Sequence, residues 1–501
     1  MELLHNLFYG FGVILDPVTL LYCLIGVTLG TLIGVLPGLG PVATISILLP
    51  MTYYLPPVPA LIMLVGIYYG SQYGGSTTAI LVNIPGESAS VITCIDGHEM
   101  AKQGRAGAAL GIAAFGSFIA GTFATFVIAI FAPPLGEFAL DFGSPEYFSL
   151  MLLGLVAAVV LAHGSLIKAI AMVLIGLVLG IVGTDSNSGI ARFTFGEIAL
   201  TDGVDFAVAA LGLFGFSEVM RNLEKSEKRE TYSTRIHDLL PSRDDWKRSW
   251  KPILRGTALG SLFGTIPGAG ATISSFAAYT LEKKLSHEPH NFGHGAIEGV
   301  AAPESANNAA AQTSIIPLLT LGIPGTATMA VMLGAMTIVG ITPGPMVMVT
   351  NPDLFWGLIV SMWVGNLFLV ILNLPLIGVW VKLLQVPYRL LYPLILLVAV
   401  VGIYSINNNH LDVMLAAGFG IAGYVLHKLG CELPPLILGF ILGPLIEEHL
   451  RRAMLISRGD PSIFFTQPLS AAFLAVAALL ILMIAIPNLR HIRDEAALEE
   501  D

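Results

Sequence analysis

The sequence predicts an all-α polytopic membrane protein of about 10–12 transmembrane helices, built as two inverted repeats with re-entrant hairpins and broken helices. Three observations lead there. Apolar residues make up 55% of the chain and charged ones only 12%, at a mean hydropathy of +0.80, a balance that excludes an ordinary soluble domain. Apolar runs long enough to cross ~30 Å of hydrocarbon recur along the whole length. One pattern also occurs twice: GTLIGVLPGLG at 30–40 returns as GSLFGTIPGAG at 260–270, 230 residues later. A further echo follows each copy, NIPG at 83–86 and GIPG at 322–325, displaced by 239. The polar stretch at 282–295 has room for the difference.

The first apolar segment is 12–36, and the PGLG break parts it from 41–55. The piece after the glycines is short for a full crossing, which suits a hairpin that enters the membrane and turns back. After PPVP at 56–59, an apolar run leads into YYGSQYGGSTTAILVNIPGE, where glycines and small hydroxylated residues predict a broken helix. A polar loop is expected at 94–106, with Asp96, His98, Glu99, Lys102 and Arg105, and spans at 106–132, 146–162, 166–183 and 205–221. The loop 183–196 reads as an ordered turn outside the membrane; Arg192 and Asp185 there fit a partner contact or an internal ion pair.

Residues 221–255 hold ten Lys/Arg, which the positive-inside rule assigns to the cytoplasm. The expected organisation is a first membrane repeat at 1–220, this basic linker, a second repeat at 256–487 and a tail at 488–501. The second repeat continues through EGVAAPESANNAAAQTS at 298–314 and apolar segments at 315–345, 354–386, 388–404, 411–427, 434–446 and 468–487. The first Lys or Arg is Lys102, so an outward N-terminus and insertion by the first membrane helices are expected. The net charge of −10 sits in loops and offers no basic field for nucleic acid; Cys23, Cys94 and Cys431 are too scattered for a metal site.

Chemistry concentrates at the breaks. Pro37, Gly38 and Gly40, with Pro267, Gly268 and Gly270, would end helices inside the membrane and expose amides suited to a carboxylate. Gly and Pro also make plain packing kinks in such helices; the repeat in register favours a site. Polar clusters lie beside them: Ser71, Gln72, Gly75, Ser76 and Thr77 in the first half, Ser305, Asn307 and Asn308 in the second. These are the substrate candidates, against the alternative of interhelical hydrogen bonds worth about 1 kcal/mol each. Coupling-ion candidates are Asn83, Pro85, Gly86, Gly322, Pro324, Gly325 and Thr326, whose carbonyls and hydroxyls suit Na+, and Glu304, since a buried acid in a membrane marks an ion or proton path. Glu87, Glu298 and Glu304 lie in or beside the breaks, and each suits either such a path or helix capping at the water boundary; His98 and His294 read as solvated.

There is no phosphate-binding GxxxxGK[ST], HExxH or GxSxG, which removes the usual signatures of ATP-driven transport and of metallo- or serine hydrolases. No other cofactor is expected.

At this point the residues resemble a known family, the large membrane subunit of the tripartite tricarboxylate transporters. The resemblance rests on GTLIGVLPGLGPVATISILLP (30–50), YYGSQYGGSTTAILVNIPGE (68–87), DGHEMAKQGRAGAALG (96–111), GIARFTFG (189–196) and EGVAAPESANNAAAQTSIIPLLTLGIPG (298–325). It implies a carrier, not an enzyme, in the bacterial inner membrane. A periplasmic substrate-binding protein and a small membrane subunit would be its partners. The cargo would be a small di- or tricarboxylate such as citrate, driven by Na+ or H+. Two other readings stand beside it: an intramembrane enzyme acting on a lipid or carboxylated metabolite, and a passive anion channel with a basic pore lining.

Overall fold

The computed structural model describes residues 2–36, 40–162, 165–185, 187–224, 239–266, 270–384 and 388–485. The chain is helical almost throughout. The first half runs through α1 (Glu2–Ile14), α2 (Pro17–Val35), α3 (Pro41–Thr52), α4 (Pro57–Val82), α5 (Val91–Lys102), α6 (Ala106–Ala139), α7 (Ser144–Leu161), α8 (Leu166–Gly180) and α9 (Phe206–Glu224). The second runs through α10 (Arg243–Gly264), α11 (Gly270–Leu285), α12 (Glu298–Thr313), α13 (Ile315–Leu321), α14 (Ala327–Ile338), α15 (Pro352–Asn373), α16 (Ile377–Leu384), α17 (Tyr388–Asn407), α18 (His410–Lys428), α19 (Pro434–Ile456) and α20 (Pro468–Ala485).

Local sequence sets these boundaries. Asp16 caps α2 by accepting from the amides of Val18 and Thr19, with Pro17 at the first helical position, so the expected 12–36 segment divides at that cap. Among the described residues, α2, α6, α9, α15 and α18 are long and apolar enough to span a membrane. Other apolar stretches form shorter helices, among them α3, α8 and α14, while α4 and α19 are long but less apolar, so length and composition together support five spans among the described residues against the ten to twelve crossings expected.

Two helix pairs organise the interior, and they are built alike. Gly26, Gly30 and Gly34 lay α2 on α4 so closely that an added Cβ would stand 2.3, 2.4 and 2.3 Å from the carbonyl oxygens of Met63, Ile67 and Ser71. Gly256, Gly260 and Gly264 do the same for α10 on α12, at 2.3, 2.3 and 2.5 Å from the oxygens of Ala302, Ala306 and Ala310. The glycines are 230 residues apart and their partners 239, the same offsets as the sequence repeats. Packing of small residues is what holds helices together where both protein and lipid are apolar.

The turns after these pairs also match. Asn83 ends α4 in the left-handed region (φ 58°) and Gly322 ends α13 there (φ 69°). Four residues on, Glu87 (φ −152°, ψ 167°) and Thr326 (φ −141°, ψ 165°) are the extended caps of the next helical segments. The halves then interlock crosswise: α3 packs on α14, while α11 packs on the helical turn at Ser88–Ser90.

Three expectations are revised. The 94–106 stretch is mostly helix α5, not loop, and His98 is buried with Nδ1 3.1 Å from the Ile80 carbonyl oxygen; His294 is exposed as expected. Asp96 turns inward as well, accepting from the amides of Gly293, Gly295 and Ala296 and from the Tyr279 hydroxyl, which pins the polar insertion to α5. Residues 243–255 of the basic linker already form the start of α10, capped by Ser242. In the 183–196 loop, a two-residue hairpin pairs Gly183–Thr184 with Ala191–Arg192. Its charges reach mainly outward to α19: Arg192 grips Glu447 with one nitrogen at 2.8 and 3.0 Å, and Arg451 holds Asp185 at 3.0 Å. The direct Arg192–Asp185 contact is a long 4.0 Å.

Candidate functional site

The crosswise packing leaves a cavity of about 340 Å³ where the two halves meet. Its wall takes Gly40 and Pro41 from the start of α3 and Gly270 to Ile273 from the start of α11. Tyr68 and Gln72 of α4, Glu87 and Ser88 of the first turn, and Gly325 to Thr328 of the second complete the repeated part. The ends of α7 and α19 close one side with Ala158, Ala162, Glu432 and Pro434. The helix starts at Gly40 and Gly270 therefore face one space.

Gly270 is required there twice over. Its φ is +55°, and an added Cβ would press the Thr326 methyl at 3.1 Å. A Cβ at Gly40 would meet nothing within 4 Å, so that backbone is open to the cavity. Two helix N-termini thus bring main-chain amides towards a common space, which favours negative charge.

The two caps have different chemistry. Glu87 Oε2 accepts from the Ala89 amide and Oε1 from Asn307 Nδ2, at 2.9 and 3.1 Å. With the Gln72 amide oriented to satisfy both neighbours, its nitrogen donates to Glu87 Oε1 at 2.9 Å and Asn307 Oδ1 at 2.8 Å. The Thr326 hydroxyl instead accepts from the Met329 amide at 3.2 Å and is faced by the Tyr68 hydroxyl. Tyr68 and Asn307 are repeat mates, 239 apart. Each comes from the central helix of one half and meets the cap of the other.

Of the sequence-derived substrate candidates, Gly40, Gln72 and Gly270 line the cavity, and Asn307 touches it through Glu87. Pro37, Gly38, Pro267 and Gly268 lie outside the described residues. The rest point elsewhere. Ser71 donates to the Tyr68 carbonyl, Thr77 to that of Tyr73 and Ser305 to that of Ala301. Gly75 packs on the Glu87 side chain. Ser76 faces Glu304, while Asn308 donates to Ser117. Of the ion candidates, Gly325 and Thr326 line the cavity. Asn83 and Gly322 supply left-handed backbone, Gly86 wedges between Gly34 and Gly75, and Pro85 and Pro324 shape the turns without reaching the wall. Glu304 is fully buried, its oxygens against the hydroxyls of Ser76 and Thr93.

Sequence reasoning missed Tyr68 and Thr93, and left Glu87 between an ion path and a boundary cap. A signal existed for two of them: stepping back 239 residues from Asn307 and Thr326 lands on Tyr68 and Glu87.

Among the described residues no Lys or Arg lines the cavity, while Glu87 and Glu432 do. A bound anion there would meet amides and two acids, with no basic side chain among the described lining residues to offset its charge.

Comparison with known proteins agrees with this architecture. The family described as "Tripartite tricarboxylate transporter TctA family" matches residues 20–438. An uncharacterized 52.8 kDa protein in the TAR-I ttuC′ 3′ region of Agrobacterium vitis is 56% identical over 501 residues, covering all of both chains. A second uncharacterized protein, in the TAR-II ttuC′ 3′ region of the same organism, is 59% identical over 242 residues, 48% of this chain and all of that relative. No solved structure matches. With most of its length covered by the family and a full-length relative above half identity, the chain belongs to the tripartite tricarboxylate transporter TctA family.

Proposed function

We propose that this chain is the large permease subunit of an ion-gradient-coupled carrier, driven by Na+ or H+, for small di- and tricarboxylates such as citrate. It works in the bacterial inner membrane with a small membrane subunit and a periplasmic substrate-binding protein. The observation that carries the reading is the shared cavity, where Gly40 and Gly270 open the two repeated helix starts onto one space. The anion sits between these N-termini, helped by the Pro37–Gly38 and Pro267–Gly268 breaks, the Gln72 amide and the Thr326 hydroxyl. Na+ takes the carbonyls and hydroxyl around Gly325 and Thr326 and offsets the charge.

In this reading the halves are inverted copies: α2–α3 and α10–α11 are re-entrant hairpins, and the basic linker lies in the cytoplasm. Rocking of the hairpins against α6, α15 and the outer helices exposes the cavity alternately to the two sides. An acid-lined wall disfavours a free anion channel, which needs basic residues along its pore. Uptake of labelled citrate with and without an imposed Na+ or H+ gradient tests the proposal; equal uptake in both conditions would refute coupling.

A further inference from the structure

The carboxyl of the buried acid Glu304 is met by two hydroxyls, one of which also faces a second acceptor. Its Oε2 is in contact with Ser76 Oγ and its Oε1 with Thr93 Oγ1. Ser76 Oγ is also 2.9 Å from the carbonyl oxygen of Gln72, one turn earlier in α4. A serine hydroxyl has one hydrogen to give. It cannot serve the Gln72 carbonyl and the Glu304 carboxylate together. If the carboxyl itself bears a hydrogen, the chain closes: Glu304 donates to Ser76 and Ser76 to Gln72. Oxygens in direct hydrogen-bond contact leave no gap for a metal ion between them.

Among the described residues no cation is paired with Glu304. Facing it from α4 is Tyr73, from α5 Cys94, and from the first turn Glu87. Asp96 and His98 lie further along α5 and are committed to the 293–296 amides and the Ile80 carbonyl. Helix α6 contributes the neutral Ser117. Helices α10 and α11 meet α12 here through Gly256, Gly260, Ser274 and Ser275, and their Arg248 and Arg255 are paired with Glu298 and Glu282. An uncompensated charge at this depth is very costly.

A separate observation lies beyond Ser76. A small cavity, with room of about 10 Å³, is lined by Tyr73, Ser76, Thr77, Ser117 and Asn373 and extends to Leu239 beside the linker. Asn373 is 5% exposed, and its Oδ1 has no partner. The rest of the lining is apolar, Leu110, Ala113, Ala114, Leu374 and Ile377, so the hydroxyls and the orphaned acceptor form one polar side of a space with room for about one water. Glu304 therefore stands between two spaces: the large cavity, one helical turn away through Gln72 and Glu87, and this small one on the linker side.

We infer that Glu304 is a proton-binding site, protonated in this conformation, and that it seats a coupling proton of the carrier proposed above, on which reading the transport role rests. The step is a bare proton transfer. A hydronium ion in the large cavity gives a proton to the Glu304 carboxylate and leaves as water, one O–H bond breaking as another forms, and the carboxyl later returns the proton to a water beyond Ser76, which becomes hydronium. No electron moves.

Infrared difference spectra of the purified full-length chain against E304Q, at neutral pH, read the carbonyl stretch of a protonated carboxyl. The expected result is a band present in the wild type, absent from E304Q, and moved in S76A, where its acceptor is gone. Identical wild-type and E304Q spectra overturn the inference. In membrane vesicles carrying the complete transporter, citrate accumulation under an inward proton gradient should fall about tenfold or more in E304Q, with citrate–citrate exchange retained. Undiminished accumulation overturns the coupling role. So does loss of exchange in a variant present at wild-type level, which would make Glu304 part of the substrate site. Wild-type vesicles that transport no carboxylate count against the carrier reading instead, and the infrared comparison still decides the proton.

Discussion

The turn at Asn83–Glu87 and the turn at Gly322–Thr326 share a backbone and differ in chemistry. Each leaves its helix through a left-handed residue and reaches an extended cap four positions later. One cap is an acid cradled by Asn307 and Gln72; the other is a hydroxyl faced by Tyr68. Duplication fixes geometry because glycine contacts and φ values tolerate little change. The side chains on that geometry are free to diverge, so one cap is a carboxyl and the other a hydroxyl. In the carrier proposed above, this asymmetric lining on a symmetric frame is where two unlike ions would be told apart.

The comparison can be broken first at the frame. Gly30→Val and Gly260→Val each drive a branched side chain into a carbonyl oxygen that even a Cβ would approach within 2.4 Å. Each should cost about 3 kcal/mol or more and abolish the monodisperse peak in size-exclusion chromatography, whereas Gly12→Ala, with open space around it, should leave the peak intact. A strong effect in one half only would mean that the halves are not structural equivalents.

The lining gives the next largest effect. Asn307→Ala removes a donor from the Glu87 carboxylate and should destabilise the chain by about 1.5–3 kcal/mol. Its repeat mate Tyr68→Phe loses only neutral hydroxyl contacts, about 1 kcal/mol. Thermal unfolding of the two variants should rank them in that order; the reverse order would remove the chemical asymmetry. Thr326→Val should lower melting less still, by about 1 kcal/mol for a lost cap, yet raise the citrate concentration for half-maximal uptake, because that hydroxyl faces the cavity.

The smallest effect concerns a region outside the repeats. Ser188, the Asn187 amide and Arg451 hold the Asp185 carboxyl at about 2, below the ordinary value of about 3.9. Its contribution is complete above pH ~4 and fades as the pH falls towards ~2. Protease nicking of the 183–196 loop should therefore rise only over that acid range, and Asp185→Asn should show the acid-range susceptibility at neutral pH.

Sequence made the frame legible because Pro, Gly and their offsets are what define it. Gly40 and Gly270 could be paired from spacing alone, and the structure sets both on one cavity. The lining was less legible. Ser71 and Ser305 belong to the right polar clusters, yet their hydroxyls return to their own helices, since rotation about a helix axis decides what a small polar residue faces. Asp96 and His98 looked solvated because they lie in a polar run; the run is a helix whose inner face bonds the 293–296 amides and the Ile80 carbonyl. The Asp96 contacts cross some 200 residues of chain, and no local pattern encodes them.

The central claim is that one substrate lies between the two repeated helix starts. Val42→Cys and Thr272→Cys, repeat mates that both line the cavity, test it directly in a chain whose three native cysteines are replaced. Citrate should slow the reaction of both new thiols with a water-soluble maleimide, over the same concentration range. Protection of one thiol alone, or of neither while uptake still saturates, would contradict a shared site.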